Sequence, residues 1–172
     1  MTSNLILIGP PGTGKSQLLA NVVERHDTLH WRGFTSVSII EDNERIGWTI
    51  AGVNSAHGTL AHIDLKSDIH MGRYGIDLNL FASIVDTELD PTQPADAYVI
   101  DEIGLISAMH PPFADLLDAC LEGKTPVIAI AREKSTEMLP SLEARPDTRI
   151  LRVEARHLDS IASLMDDRLR NR

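Results

Sequence analysis

Hydrophobic positions along the chain fall into two kinds of run. Leu5–Ile8, Ala97–Asp101, Val127–Ala131 and Arg149–Val153 are short and mostly apolar, the pattern of strands covered on both faces. Elsewhere the spacing is helical. Leu18, Leu19, Val22 and Val23 form a stripe over about Lys15–Arg25. Phe113, Leu116, Leu117 and Leu121 form another after Pro112, with Gly123 at the stop position, and Ile161, Met165 and Leu169 a third over about Leu158–Arg170. A helix over Leu80–Leu89 fits the same reading. In the middle, Thr35–Ile40 and Ile46–Val53 are rich in β-formers and flank the polar turn Glu41-Asp42-Asn43-Glu44. Ile46, Trp48 and Ile50 alternate with smaller or polar residues, which predicts an antiparallel hairpin with one face covered. Further strands are expected over Thr59–Asp64 and Arg73–Leu78. Asp90–Asp96, with two prolines, reads as a loop inside one domain spanning residues 1–172. Alternating strands and helices predict an α/β fold: a mainly parallel sheet covered by helices on both sides, with an antiparallel hairpin extension.

Composition narrows the function. The 172 residues are 42% hydrophobic, too apolar for a disordered chain. The formal charge is −9, and it is uneven: residues 1–129 hold 7 basic and 17 acidic side chains. Such an acidic body repels a phosphate backbone, which disfavours a general nucleic-acid binder. Arg145, Arg149, Arg152 and Arg156 are expected to pair at the surface with Glu143, Asp147 and Glu154. No apolar run has the length of a membrane span, and no secretory signal is evident, so the expected location is the cytoplasm. A single cysteine, Cys120, excludes an internal disulfide and a cysteine-rich zinc site, and fits a small core residue. The seven histidines show no metal-site spacing. Trp31 and Trp48 are expected in the core.

The chemistry concentrates after the first strand. Gly9-Pro10-Pro11-Gly12-Thr13-Gly14-Lys15-Ser16 satisfies G-x-x-x-x-G-K-[ST] in full, between a buried strand and an amphipathic helix. Holding a phosphate requires successive backbone N–H groups converging on one concavity, and glycine permits the backbone angles this needs. The helix start directs its positive end at the anion. Lys15 is placed to reach the β- and γ-phosphates and Ser16 to offer a hydroxyl to Mg²⁺, with Gln17 completing the contact segment. The strand Tyr98-Val99-Ile100 then ends in Asp101-Glu102. Acids at the end of an apolar strand face the ligand crevice of a parallel sheet. Asp101 is placed to hold Mg²⁺ beside Ser16, and Glu102 to orient the water that attacks the γ-phosphorus. Arg132, just past Val127–Ala131, is a candidate for stabilising transition-state charge; its alternative is an ion pair with Glu133 or Glu137. Arg73 is a weaker candidate.

With these residues in view, the chain resembles the small P-loop nucleoside-triphosphatases. The segments that carry the likeness are GPPGTGKS (Gly9–Ser16), RGFTS (Arg32–Ser36), ERIGW (Glu44–Trp48), GRYGIDL (Gly72–Leu78), VIDEIG (Val99–Gly104), PVIAIAR (Pro126–Arg132) and EARHLDSI (Glu154–Ile161). The resemblance implies a P-loop NTPase three-layer sandwich that hydrolyses ATP, GTP and other triphosphates to the diphosphate and phosphate with Mg²⁺. By motif position it assigns Lys15 and Ser16 to phosphate and metal, and Asp101 and Glu102 to metal and water. The chain departs from the family's usual pattern at Ser36-Val37-Ser38, Leu105-Ile106-Ser107 and Ala155-Arg156. Two other readings of the loop and acidic pair remain open at this level: a nucleotide or nucleoside kinase, and an ATP-dependent switch module acting with a protein partner. The sequence leaves the oligomeric state open.

Overall fold

The computed structural model describes residues 4–133 and 137–171. Its centre is a parallel sheet built from β2 (Trp31–Glu41), β7 (Ala97–Ile103), β8 (Val127–Ala131), β1 (Asn4–Ile8) and β9 (Thr148–Arg152), adjacent in that order. Beyond β2 the sheet continues antiparallel through β3 (Glu44–Gly52), β4 (His57–His62), β6 (Tyr74–Ile76) and β5 (His70–Met71). The expected hairpin extension is therefore a four-strand wing. The strand expected over Arg73–Leu78 is cut to three residues because the Asp77 carboxylate accepts from Leu80 N–H at 2.9 Å and starts α2 (Leu78–Glu88).

Alternation along the central strands splits the core into two layers. Ile6, Ile8, Tyr98, Ile100 and Ala129 pack toward α2, α4 (Pro112–Glu122) and α5 (Leu139–Ala144). Leu5, Leu7, Val99, Ile128 and Ile130 pack toward α1 (Lys15–Arg25) and α6 (Leu158–Arg170). This is the expected three-layer sandwich, with β1 between two parallel neighbours, β8 and the edge strand β9. Cys120 is a buried core residue, as expected.

β2 is longer than its β-rich segment predicts. Trp31–Phe34 pair in parallel with β7, and the remainder pairs antiparallel with β3. Arg32 and Gly33 obscure the strand in the sequence, and tertiary structure explains both. Gly33 has φ +112°, and a Cβ there would lie 1.9 Å from the Val99 carbonyl oxygen. Arg32 is buried because its guanidinium donates to the Glu88 and Thr87 carbonyls at the end of α2. The turn Asp42-Asn43 takes φ +48° and +64°, the conformation of a two-residue turn whose twist suits the strands it joins. Gly123 caps α4 in extended geometry rather than left-handed. α3 (Leu105–Ala108) and α5 are too short to leave a periodic signature.

Candidate active site

The loop after β1 wraps its backbone around a concavity with Gly9, Gly12 and Gly14 all at positive φ (+146°, +77° and +86°). Gly9 also admits close packing: a Cβ would stand 2.7 Å from the Val153 carbonyl. Gly14 immediately precedes α1, so the first N–H groups of that helix open into the loop. The Lys15 ammonium arches over the loop and donates to Gly9 O at 2.9 Å, Pro10 O at 2.6 Å and Thr13 Oγ1 at 3.1 Å. Desolvation lowers its pKa, while Glu102 and Asp101 push the other way. Thr13 spends its hydroxyl inside the loop, donating to Pro10 O at 2.9 Å. The Gln17 side chain lies along the helix and donates to Asn21 Oδ1 at 2.9 Å.

The end of β7 brings the carboxylates to the same wall. Asp101 is 3% exposed and hydrogen-bonded to Ser16; burial raises its pKa to about 7, with the Ser16 bond opposing. Asp101 pairs with Ile130 and Ile103 with Ala131, so Glu102 lies at a bulge between them. There its carboxylate meets Arg132, with Oε1 2.8 Å from Nε. The partner of Arg132 is thus Glu102, and not Glu133 or Glu137, the alternative the sequence offered; Glu133 pairs with Arg152 instead. The turn behind Glu102 is fastened by Ser107, which is 2% exposed. Its hydroxyl accepts from Gly104 N–H at 2.8 Å and donates to Glu102 O at 3.3 Å. Of the other expected surface pairs, Arg145–Asp147 (3.1 Å) and Arg156–Glu154 (2.8 Å) form.

Gly9, Pro10, Pro11, Gly12, Gly14, Lys15, Ser16, Gln17, Asp101, Glu102 and Arg132 all line one cavity of about 810 Å³. Its opposite wall is the base of the antiparallel wing, with Thr35–Ser38 on β2 and Arg45, Trp48 and Ile50 on β3. Trp48 is therefore a half-buried wall residue rather than a core one, while Trp31 is buried as expected. The wing's share of the cavity was not foreseen, because its residues carry no motif. The only available signal was the placement of ERIGW on the first strand past the parallel sheet.

The donor set around Asp101 suits Mg²⁺. A buried carboxylate and an adjacent hydroxyl are hard oxygen ligands, and Mg²⁺ characteristically takes one or two protein oxygens, keeping water and phosphate for the rest. The described residues contain no cluster of three or more His, Cys, Asp or Glu that could hold a metal ion. No helix among the described residues is long and apolar enough to cross a membrane.

A parallel sheet with a glycine loop after an inner strand and an acidic pair two strands away defines a P-loop nucleotide-binding protein. The chain belongs to the family described as NTPase, whose model matches residues 4–165. It is 25% identical to the nucleoside-triphosphatase THEP1 of Thermotoga sp. (strain RQ2), over 91% of this chain and 90% of the relative. It is 31% identical to the protein of the same name from Sulfolobus acidocaldarius, over 73% and 74%. The fold superposes on the crystal structure of THEP1 from Aquifex aeolicus with TM-score 0.75 at 21% identity, covering 95% of this chain and 99% of that one. The solution structure of a human cancer-related nucleoside triphosphatase gives 0.74 at 21%, covering 95% and 97%.

Proposed function

We propose that the protein hydrolyses nucleoside 5′-triphosphates, ATP and GTP among them, to the diphosphate and phosphate. The observation that carries this is the convergence of loop, Lys15, Ser16, Asp101, Glu102 and Arg132 on one cavity wall, together with membership of the NTPase family.

The loop amides of Gly9–Ser16 grip the phosphate tail, and Lys15 exchanges its loop carbonyls for phosphate oxygens, which are better acceptors for an ammonium. Ser16 and Asp101 would hold Mg²⁺, which would supply positive charge to offset that of the phosphate tail. Glu102 is the group that orients water and takes its proton. Its ion pair with Arg132 fixes the carboxylate's direction and keeps a guanidinium close to the γ-phosphate oxygens, where an arginine stabilises transition-state charge. Asp101 is turned to Ser16 and assigned to the metal, which leaves the base role to Glu102.

The test is phosphate release over a panel of triphosphates, with Lys15→Ala as the blank. Release from several bases, abolished by Lys15→Ala and by EDTA, is expected. A wild-type rate no higher than that of the blank would overturn the assignment.

A further inference from the structure

Beside this cavity, and sharing Arg45, Trp48, Met71, Leu105 and Arg132 with its lining, lies a second, open chamber of about 450 Å³ on the wing. Arg45, Arg73 and Arg132 all line it, with Glu44 the one acidic residue of the lining. In a body with 7 basic and 17 acidic residues over positions 1–129, two arginines converging here is a local reversal of charge.

These side chains form a built arrangement. Trp48 and Tyr74 meet edge to face at 4.7 Å, and Arg45 lies over the Trp48 ring at 5.4 Å. The Arg45 backbone is held from both sides, since its carbonyl accepts from Arg73 at 2.8 Å and from the Tyr74 hydroxyl at 3.0 Å. Its guanidinium is left over: Nε is buried with no hydrogen-bond partner among the described residues, and none of their carboxylates pairs with it. A guanidinium with no carboxylate partner favours an anionic ligand at the face it turns to the chamber.

Position decides which ligand. Along the sheet edge the order is β3, β2, β7, β8, β1, β9. With the γ-phosphate at Asp101 and Glu102 on β7 and the loop on β1, the triphosphate runs away from the wing, and its nucleoside leaves on the β9 side. The second chamber therefore lies beyond the γ-phosphorus, where the attacking group of an in-line displacement must stand. This step rests on the triphosphate lying in the loop as proposed above.

We infer that the chamber is an acceptor subsite for a phosphate monoester, held by Arg45 with Arg73 beside it, and that the protein transfers the γ-phosphoryl group to it. A monoester oxygen forms the new bond to the γ-phosphorus, the bond to the β,γ-bridging oxygen breaks, and the original nucleotide leaves as its diphosphate. The second phosphate pKa is about 6, so the attacking dianion carries no proton and needs no base. Water takes the same position when the chamber holds no acceptor.

The experiment incubates the protein with Mg²⁺, γ-³²P-labelled triphosphate, and either a panel of nucleoside 5′-monophosphates or inorganic phosphate, and separates the labelled products. Labelled diphosphate names a nucleoside monophosphate as occupant, and labelled pyrophosphate names free phosphate; either supports the subsite. Arg45→Gln should cut that product by about tenfold or more while phosphate release stays within about twofold, and Arg73→Gln, at a more exposed side chain, should cut it selectively as well. Free phosphate as the sole labelled product at every acceptor concentration overturns the subsite and leaves hydrolysis standing. Labelled diphosphate without free phosphate does the reverse.

Discussion

Glu102 is shaped by two neighbours with different tasks. Arg132 meets the carboxylate from the end of β8, and Ser107 ties down the carbonyl of the same residue from α3. Ser107 touches no substrate position, so it acts by positioning. Ser107→Ala should lower kcat by about tenfold while KM stays nearly constant, because binding resides in the loop; an equal rise in KM would show that the loop itself had shifted. Asp101 makes a different prediction. Its folded pKa of about 7 exceeds its ordinary value of 3.8, so the metal-free fold binds the extra proton between those values. Stability from this group is therefore fully present below pH 4 and falls as pH rises to 7, by on the order of 4 kcal/mol in total. Urea melts in EDTA at pH 5 and pH 8 should reveal this loss, and Asp101→Asn should flatten it. Cys120 illustrates burial alone. Its thiol is 2% exposed and raised to about 11, chiefly by desolvation, so a thiol reagent at pH 8 should react only as fast as the protein unfolds.

Among elements, the joint between the parallel sheet and the wing is the least visible in the sequence and among the most constrained. Glu88 closes α2 fully buried, and its carboxylate accepts from Gly33 N–H at 3.1 Å and Asn54 N–H at 2.6 Å. It thereby ties the helix to β2 and to the turn after β3. Glu88→Gln places an amide N–H against a backbone donor and should cost about 1–3 kcal/mol in a denaturation midpoint measurement; an unchanged midpoint would show the joint to be dispensable. The parallel strands were legible because burial on both faces forces unbroken apolar runs such as Leu5–Ile8, and the first helix because its one covered face imposes a period. β2 was legible only in its outer half. Its inner half holds a buried arginine and a glycine at positive φ, whose reasons lie in Glu88 and Val99, far off in the chain. The β5–β6 pair is too short to show a pattern.

For the molecule as a whole, the loop and acidic pair could be read in advance because phosphate chemistry demands contiguous residues of fixed type. The facing wall could not. Thr35, Arg45 and Trp48 are ordinary strand residues that become cavity lining only because the wing stands beside β7. Ser36–Ser38 on β2 and Leu105 and Ile106 just past β7 line the same cavity. The proposed division of labour, with grip at the loop after β1 and reaction at the end of β7, is what a single substitution can test. Glu102→Gln keeps the shape of the side chain and removes its basicity. Phosphate release should fall by roughly 10²–10⁴, while affinity for a fluorescent triphosphate analogue stays within a few-fold of wild type. Undiminished release by that variant, or loss of binding in step with loss of rate, would contradict the account.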